Sequence, residues 1–467
     1  MNLAMELTQS VNPIRQYHEL PHERDDSLLP EDFRKQHRVA IVGNEPEALL
    51  LSVLHAEAGI PNILVGQFRE WNQGQSHLSG IDEALWLFQV HKKSGRISLE
   101  SDPSKIPLSK IRTLMIAASP GTSEHSHQLE ATVRNVAPHV SPGTQVVFAG
   151  LCKPHYTAST FKPTLEKFSG MKVGTDLGLS YIPLHWTGER VSEFREKPEV
   201  IANFEDSLSS RFQEQLLKIF PVLSKASNVQ SAEAAGLFAQ VTREVTNALK
   251  LDLAKTSQSL GVAFDEVLVL CSRLGTTFGR EPRLLPGRES VGTTIALSRT
   301  SRREGSRLAR AAHRVNEDYQ SQITDMIKRA LDKCGLRLRA SRITFLGTEG
   351  LMRNSWSRPE IPRVIETLQR RGARITLYTG EVGVESWTSV LNGYAQVETN
   401  LWRAVSKATC TVVALPPPMV SDLDPNLLAN EMSRPGVVCD LSQVLEASNV
   451  ERSGLFYTSI GRGTLDP

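Results

Sequence analysis

The 467-residue chain is poor in the features that mark a stapled, a membrane-spanning or a polyanion-binding protein. It has five cysteines, Cys152, Cys271, Cys334, Cys410 and Cys439, far apart and without C-x-x-C spacing. Scattered thiols in odd number argue against a disulfide framework and predict reduced cysteines in a cytoplasmic protein. They argue equally against structural zinc. No stretch approaches the roughly 20 apolar residues that span a bilayer. The N-terminal MNLAMELTQSVNPIRQYHELPHERDD lacks the apolar core of a secretory signal, and its polar composition predicts a loosely attached leader over residues 1–36. Lys plus Arg exceed Asp plus Glu by only two, which gives no electrostatic reason for a nucleic-acid or membrane partner. The basic cluster Arg302, Arg303, Arg307 and Arg310 falls at helical spacing and reads as a solvated face. No repeat of solenoid period is visible.

What is present is an ordinary globular composition, 40% hydrophobic and 22% charged, in a chain long enough for two or three domains. HRVAIVG (37–43) is a short apolar, β-branched run ending at glycine and predicts a strand. A helical pattern through Ala48, Leu49, Leu50, Val53 and Ala56 follows and stops at Gly59, and NILVG supplies a second strand. Strand, helix, strand in so few residues is a βαβ unit and implies a parallel sheet with a right-handed crossover. TLMIAAS (113–119) and TQVVFAG (144–150) extend the same sheet. From Ser231 the pattern changes to a long helix, with Ser231 and Glu233–Ala234 resembling its capped start. A further helix is predicted over about 306–335. SRITFLG (341–347), ARITLYTG, ATCTVVAL and GVVCDLS then predict a second parallel sheet, with a helix over about 359–371. The PPP run at 416–418 must break a strand.

The order α/β unit, long helix, α/β unit resembles the UDP-glucose/GDP-mannose dehydrogenase family, nearest its UDP-N-acetylmannosamine dehydrogenase branch. Three stretches carry the resemblance. SAEAAGLFAQVTREVTNALKLDLAKTSQSLGV is similar to the family's central helix. RLLPGRESVGTTIALSR stands where its glycine-rich catalytic segment stands, and SRITFLGTEGLMRNSWSRPEIPRVIETLQRRGARITLYTG is similar to the start of its C-terminal domain. Smaller echoes are DLGLSYIPLHW, ARAAHRVNEDY and the closing FYTSIGRG. The resemblance implies two Rossmann-like, doubly wound parallel-sheet domains joined by a long central helix. The expected division is a leader at 1–36, an NAD-type domain at 37–225, a helical dimerisation domain at 226–335 and a UDP-sugar-type domain at 336–467. It also implies chemistry. Members oxidise the C6 hydroxyl of a nucleotide sugar to a carboxylate with two NAD. A cysteine thiolate traps the intermediate aldehyde, and lysine, asparagine and glutamate serve the oxyanion and the water.

Matched position by position, most of those groups are replaced. The dinucleotide turn G-x-G-x-x-G is here Gly43, Asn44, Glu45, Pro46, Glu47 and Ala48, so only its first glycine survives. Glu45 and Glu47 are expected to put negative charge where a diphosphate would sit. At about 4 Å and an effective dielectric of about 20, each such contact costs on the order of 4 kcal/mol. The acid that would hold the ribose is Gln67. Thr294 stands at the nucleophilic cysteine, Gly236 at the helix lysine and Gln240 at the asparagine. Leu184 stands at the glutamate, Leu351 at the C-terminal lysine, and Ser355 with Trp356 at the acidic pair. Cys271 lies inside the apolar run VLVLCSRL and reads as a buried core thiol. Lys250 and Lys255 lie about four turns or more beyond Gly236, too far to replace its amine.

Some binding groups are kept. Arg358 matches an arginine near the family's NAD, and Arg280 an arginine that one subunit lends to its partner's sugar; with Gly43 these are the residues through which NAD and a nucleotide sugar would still be held. His155, His185 and Trp186 follow strands, and each reads as packing. The expected function is a nucleotide-sugar dehydrogenase homologue without NAD-dependent oxidation, a pseudoenzyme that binds a ligand or a partner. The alternative is a divergent, active NAD-dependent UDP-sugar dehydrogenase in a specialised biosynthetic pathway. The expected assembly is a homodimer, or a heterodimer with an active paralogue to which Arg280 is lent.

Overall fold

The computed structural model describes residues 38–66, 79–106, 111–118, 123–186, 190–204, 210–276, 307–347, 360–379, 388, 391, 393–414, 423–441 and 444–462. The leader expected at 1–36 lies outside them, as does the PPP run.

The first strand, β1 (Arg38–Val42), carries Val39, Ala40, Ile41 and Val42, all buried. A run with no polar face fits the interior of a parallel sheet covered by helices on both sides. The elements α1 (Pro46–Glu57), β2 (Asn62–Val65), α2 (Ser79–Lys93) and β3 (Ile97–Glu100) follow. The chain then crosses to β4 (Ile111–Ala117), α3 (Ser123–Val136), β5 (Gln145–Ala149), α4 (Lys162–Ser169) and β6 (Gly178–Ile182). Next come α5 (Val191–Arg195), β7 (Glu199–Asn203), α6 (Ser210–Ile219) and β8 (Leu223–Lys225). The eight strands form one sheet in the order β3-β2-β1-β4-β5-β6-β7-β8, parallel except where β6 meets β7. The order reverses between β1 and β4, and at such a switch point the loops leave in opposite directions and open a crevice.

The middle of the chain is α7 (Val229–Ser259), 31 residues and about 46 Å long. It starts three residues earlier than the sequence pattern indicates. Asn228, not Ser231, is the cap, and its side chain accepts from the Ser231 amide at 2.8 Å. The short α8 (Phe264–Arg273) follows, and then α9 (Arg307–Lys333), which lies along α7. The two are stitched by Asn316, whose Nδ2 donates to Glu244 O at 3.2 Å and whose Oδ1 accepts from Asn247 Nδ2 at 3.2 Å.

The second sheet contains β9 (Arg342–Leu346), β10 (Arg374–Tyr378), β11 (Gln396–Glu398), β12 (Cys410–Val413), β13 (Val437–Asp440) and β14 (Phe456–Ser459). Helices α10 (Glu360–Arg370), α11 (Leu401–Val405), α12 (Pro425–Glu431) and α13 (Ala447–Arg452) are interleaved with the strands. The order β11-β10-β9-β12-β13-β14 is fully parallel and repeats the first sheet's switch between its first and fourth strands. The expected architecture, two doubly wound sheets with a long helix between, is therefore what the chain adopts. Helix α7 belongs to both ends. Val229 and Ala232 pack in a core cluster of the first sheet and Leu251 in that of the second. Among the described residues no helix is long and apolar enough to cross a membrane.

One buried polar chain crosses the first core. His55 on α1 is fully buried, its Nδ1 donating to Leu51 O at 2.7 Å. Its Nε2 accepts from Gln215 Nε2 at 3.2 Å, and Gln215 Oε1 accepts from Thr113 Oγ1 at 3.0 Å. These roles require a neutral ring, and burial pushes the imidazole down from 6.5 to about 4. A depressed base stays neutral in the folded chain while the unfolded chain protonates, so stability present above pH 6.5 is lost as the pH falls toward 4. The contribution is about 3 kcal/mol. Denaturant unfolding of the parent and of His55→Gln at both pH values should show the parent losing about that much more on acidification. Equal losses in the two proteins contradict a neutral buried His55.

Candidate functional site

The crevice of the first sheet forms where β1 gives way to α1. Gly43 N donates to Val65 O at 3.0 Å, and a Cβ on residue 43 would stand 2.4 Å from Ala117 O. No side chain fits, so glycine is dictated here by backbone crowding alone. Ala48 is fully buried beneath this turn. The cleft above it measures about 230 Å³, and Gly43, Asn44, Glu45, Ser101 and Thr132 are among its lining residues. Among the described residues no lysine or arginine lines it, whereas Glu45, buried, does. Pro46 occupies the first turn of α1 and removes one of the amides that a helix N-terminus offers an anion.

Only one of the two expected carboxylates faces this cleft. Glu47 turns away, and its Oε1 accepts from Trp186 N at 3.4 Å beneath the sheet's C-terminal edge. The cleft thus keeps the shape of a dinucleotide turn without its chemistry. Among the described residues a pyrophosphate here would find one amide fewer, no cation and a buried carboxylate in the wall, and these residues do not fit the group.

The second part of the site is the head of α7, which lies against the loops after β5 and β6. Glu233 is buried to 1% exposure. Its Oε2 accepts from His155 N at 2.7 Å and its Oε1 from Thr157 N at 2.8 Å; the Cys152 thiol donates to Oε1 at 3.6 Å. A buried carboxylate is tolerable when charge-assisted hydrogen bonds replace its water, and two backbone amides do so. His155 adopts φ +64° to present its amide. Burial, and then the Glu233 charge, push the Cys152 thiol up, so it remains protonated and acts as a donor rather than a nucleophile. Sequence reading missed Glu233, having taken it for part of a helix start. The available signal was an acid on the same helical face as Ala232, Gly236 and Leu237.

One turn on, Gly236 is the point of closest approach. A Cβ there would lie 2.6 Å from Pro183 Cβ and 2.9 Å from Leu151 Cδ2. Leu184 is fully buried and Trp186 nearly so, in the same core cluster as Val191 and Phe194. Gln240 is buried; its Oε1 accepts from Arg243 Nε at 3.0 Å and Nη2 at 2.8 Å, and its Nε2 donates to Glu244 Oε1 at 3.4 Å. Its hydrogen-bonding capacity is directed along its own helix.

The chain's overall build has clear counterparts among solved structures. A UDP-D-ManNAc dehydrogenase from Pyrococcus horikoshii superposes with a TM-score of 0.72 at 18% identity, over 92% of this chain and 100% of that one. A UDP-glucose dehydrogenase from Pyrobaculum islandicum gives 0.70 at 17% identity, over 93% and 99%. The UDP-N-acetyl-mannosamine dehydrogenase Cap5O from Staphylococcus aureus gives 0.68 at 15%, over 91% and 98%. This chain has the nucleotide-sugar dehydrogenase fold. A curated relative, Protein CapL of Staphylococcus aureus, is 24% identical over 258 residues, 51% of this chain and 57% of that protein. The chain thus matches little more than half of that relative's length. No family model matches.

Within the nucleotide-sugar dehydrogenase fold, the structure brings Gly236, Leu184 and the β5 loop together at the head of α7, and Gly43 into the crevice. Arg280, Thr294, Leu351, Ser355, Trp356, Arg358 and Gln67 lie outside the described residues. Cys271 is half-buried rather than a core thiol, because α8 leaves Val269 and Leu270 on an exposed side. His155 is exposed and His185 half-buried. Among the described residues no three His, Cys, Asp or Glu side chains are grouped to hold a metal ion. The Glu233 bonds carry a direct expectation. Glu233→Ala strands the buried Thr157 amide and the part-buried His155 amide and should cost about 3 kcal/mol in denaturant unfolding, with Glu233→Gln between it and the parent. A loss below about 1 kcal/mol for the alanine variant contradicts the assignment.

Proposed function

We propose that this chain is a nucleotide-sugar dehydrogenase homologue that has left NAD-dependent oxidation and acts by binding. The observation that carries the reading is the packing at Gly236. The place from which a catalytic lysine would project is filled by Pro183 and Leu151, and the glutamate's place by buried Leu184. A lost side chain can leave a hole that another residue or a water uses; here the hole has been closed by the neighbours, so the change extends to the surrounding packing. The dinucleotide crevice supports the same reading, since among the described residues Glu45 lines it and no lysine or arginine does.

The partner we propose is a second copy of the chain. Leu260, Val269, Leu270 and Leu274 stand exposed at the far end of α7 and on α8, with Leu274 at 84%. Exposed apolar side chains of this kind, recurring within one short stretch of sequence, fit an interface better than solvent. Light scattering at micromolar concentration should return a dimer, and a monomer contradicts this part.

The purified chain should produce no NADH from UDP-glucose, UDP-N-acetylmannosamine or GDP-mannose with NAD. Saturating NAD should leave its melting temperature unchanged, whereas a ligand at about 100 times its dissociation constant adds about 2.7 kcal/mol. One NADH per sugar would establish a divergent enzyme that stops at the aldehyde, and two would establish the complete oxidation. Either result, or a clear upward shift with NAD, overturns the proposal.

A further inference from the structure

A second cleft lies at the other end of α7, with chemistry opposite to that of the crevice. It measures about 270 Å³ and opens where α7, α9 and the end of β14 meet. Its floor is apolar: Leu251, Tyr319, Ile323 and Met326 are all buried. Among the described residues three cations line it, Lys255 from α7 and Arg329 and Lys333 from α9, and no Asp or Glu does. Thr458 and Ser459, at the end of β14, add hydroxyls to the wall.

Two features distinguish this cleft from a solvated helix face. The cations come from two separate helices and converge over one apolar floor, the residues on α7 and α9 recurring at helical spacing. The wall is also preformed. Gly461, at φ +78°, sits so close to the α7–α8 corner that a Cβ would lie 2.6 Å from Phe264 Cβ. Phe264 N donates to Gly461 O at 3.2 Å, and Gln258 Nε2 donates to Arg462 O at 3.5 Å. The strand end is therefore pinned to the corner, and little ordering remains to oppose a ligand.

We propose that this cleft binds a small organic phosphate with a flat apolar body, the class of an aryl phosphate or a nucleoside monophosphate. A single carboxylate would engage the Arg329 fork or an ammonium group, whereas a phosphate dianion, with more acceptor oxygens and more charge, can engage Arg329 and Lys255 together. Tyr319 and Met326 offer the apolar body a surface. The volume lies just below the usual range for drug-sized ligands and matches the size of a mononucleotide or smaller. Lys255 is nineteen residues beyond Gly236, about 28 Å along the helix, so binding here neither requires nor excludes chemistry at the crevice.

The test is calorimetric titration of the full-length chain with phenyl phosphate, UMP, uridine and inorganic phosphate. Saturable binding of phenyl phosphate or UMP is expected, at least about tenfold tighter than uridine or phosphate alone. It should weaken about tenfold or more in Arg329→Ala/Lys333→Ala and in Lys255→Gln, and on raising the salt. These side chains are exposed, so the unliganded melting temperature of each variant should match the parent; Thr458→Val is the second probe should one of them fail to fold. No saturable binding of the phosphorylated probes overturns the proposal. So does binding that all the variants leave unchanged, or equal affinity for uridine and UMP.

Discussion

The arrangement of this molecule depends on one contact, the docking of the head of α7 on the loops after β5 and β6. Two residues on one helical face make it. Glu233 collects the amides of His155 and Thr157, and Gly236 lets the helix backbone come down onto Pro183 and Leu151. The carboxylate supplies direction, because its acceptors require those amides to point inward. The glycine supplies proximity, because any side chain would hold the helix off. Since α7 runs on into the core of the second sheet through Leu251, this docking also fixes the line along which the two sheets are joined.

The proposed loss of dehydrogenase chemistry rests on the same contact. A lysine at 236 would need a channel that Pro183 and Leu151 occupy. A glutamate at 184 would put a charge into a core where Leu184 packs with Trp186 and Phe194, and an unpaired charge there would cost several kcal/mol. Positive charge is gathered instead at the opposite end of α7, over an apolar floor. Among the described residues, the crevice of the first sheet is lined by no cation and the cleft at the far end of α7 by three.

Much of the fold was legible because parallel strands buried on both faces leave unbroken apolar runs, as in Val39 to Val42 and Cys410 to Val413. Local signals located the central helix but misplaced its start, since Asn228 caps it from outside the periodic stretch. The site was harder to read. Gly236, Gln240 and Leu184 could be matched by order along the chain, but not the closure around Gly236, which depends on residues more than fifty positions away. Glu233 escaped notice because its partners are main-chain amides, which no residue code reveals. Glu47 was expected to face the crevice because spacing gives a position and not a side-chain direction. The cationic cleft draws on α7, α9 and β14, and no local window contains all three.

The head of α7 is closed by packing, and the stability of Gly236→Ala tests this most directly. Replacing glycine by alanine inside an open helix stabilises it by about 0.5–1 kcal/mol. At a position where a Cβ would stand 2.6 Å from Pro183, overpacking should reverse the sign and cost about 1–3 kcal/mol. A fall in the unfolding midpoint of that size is the predicted result. An unchanged or raised midpoint would mean that room for a side chain remains at 236, and would contradict the account.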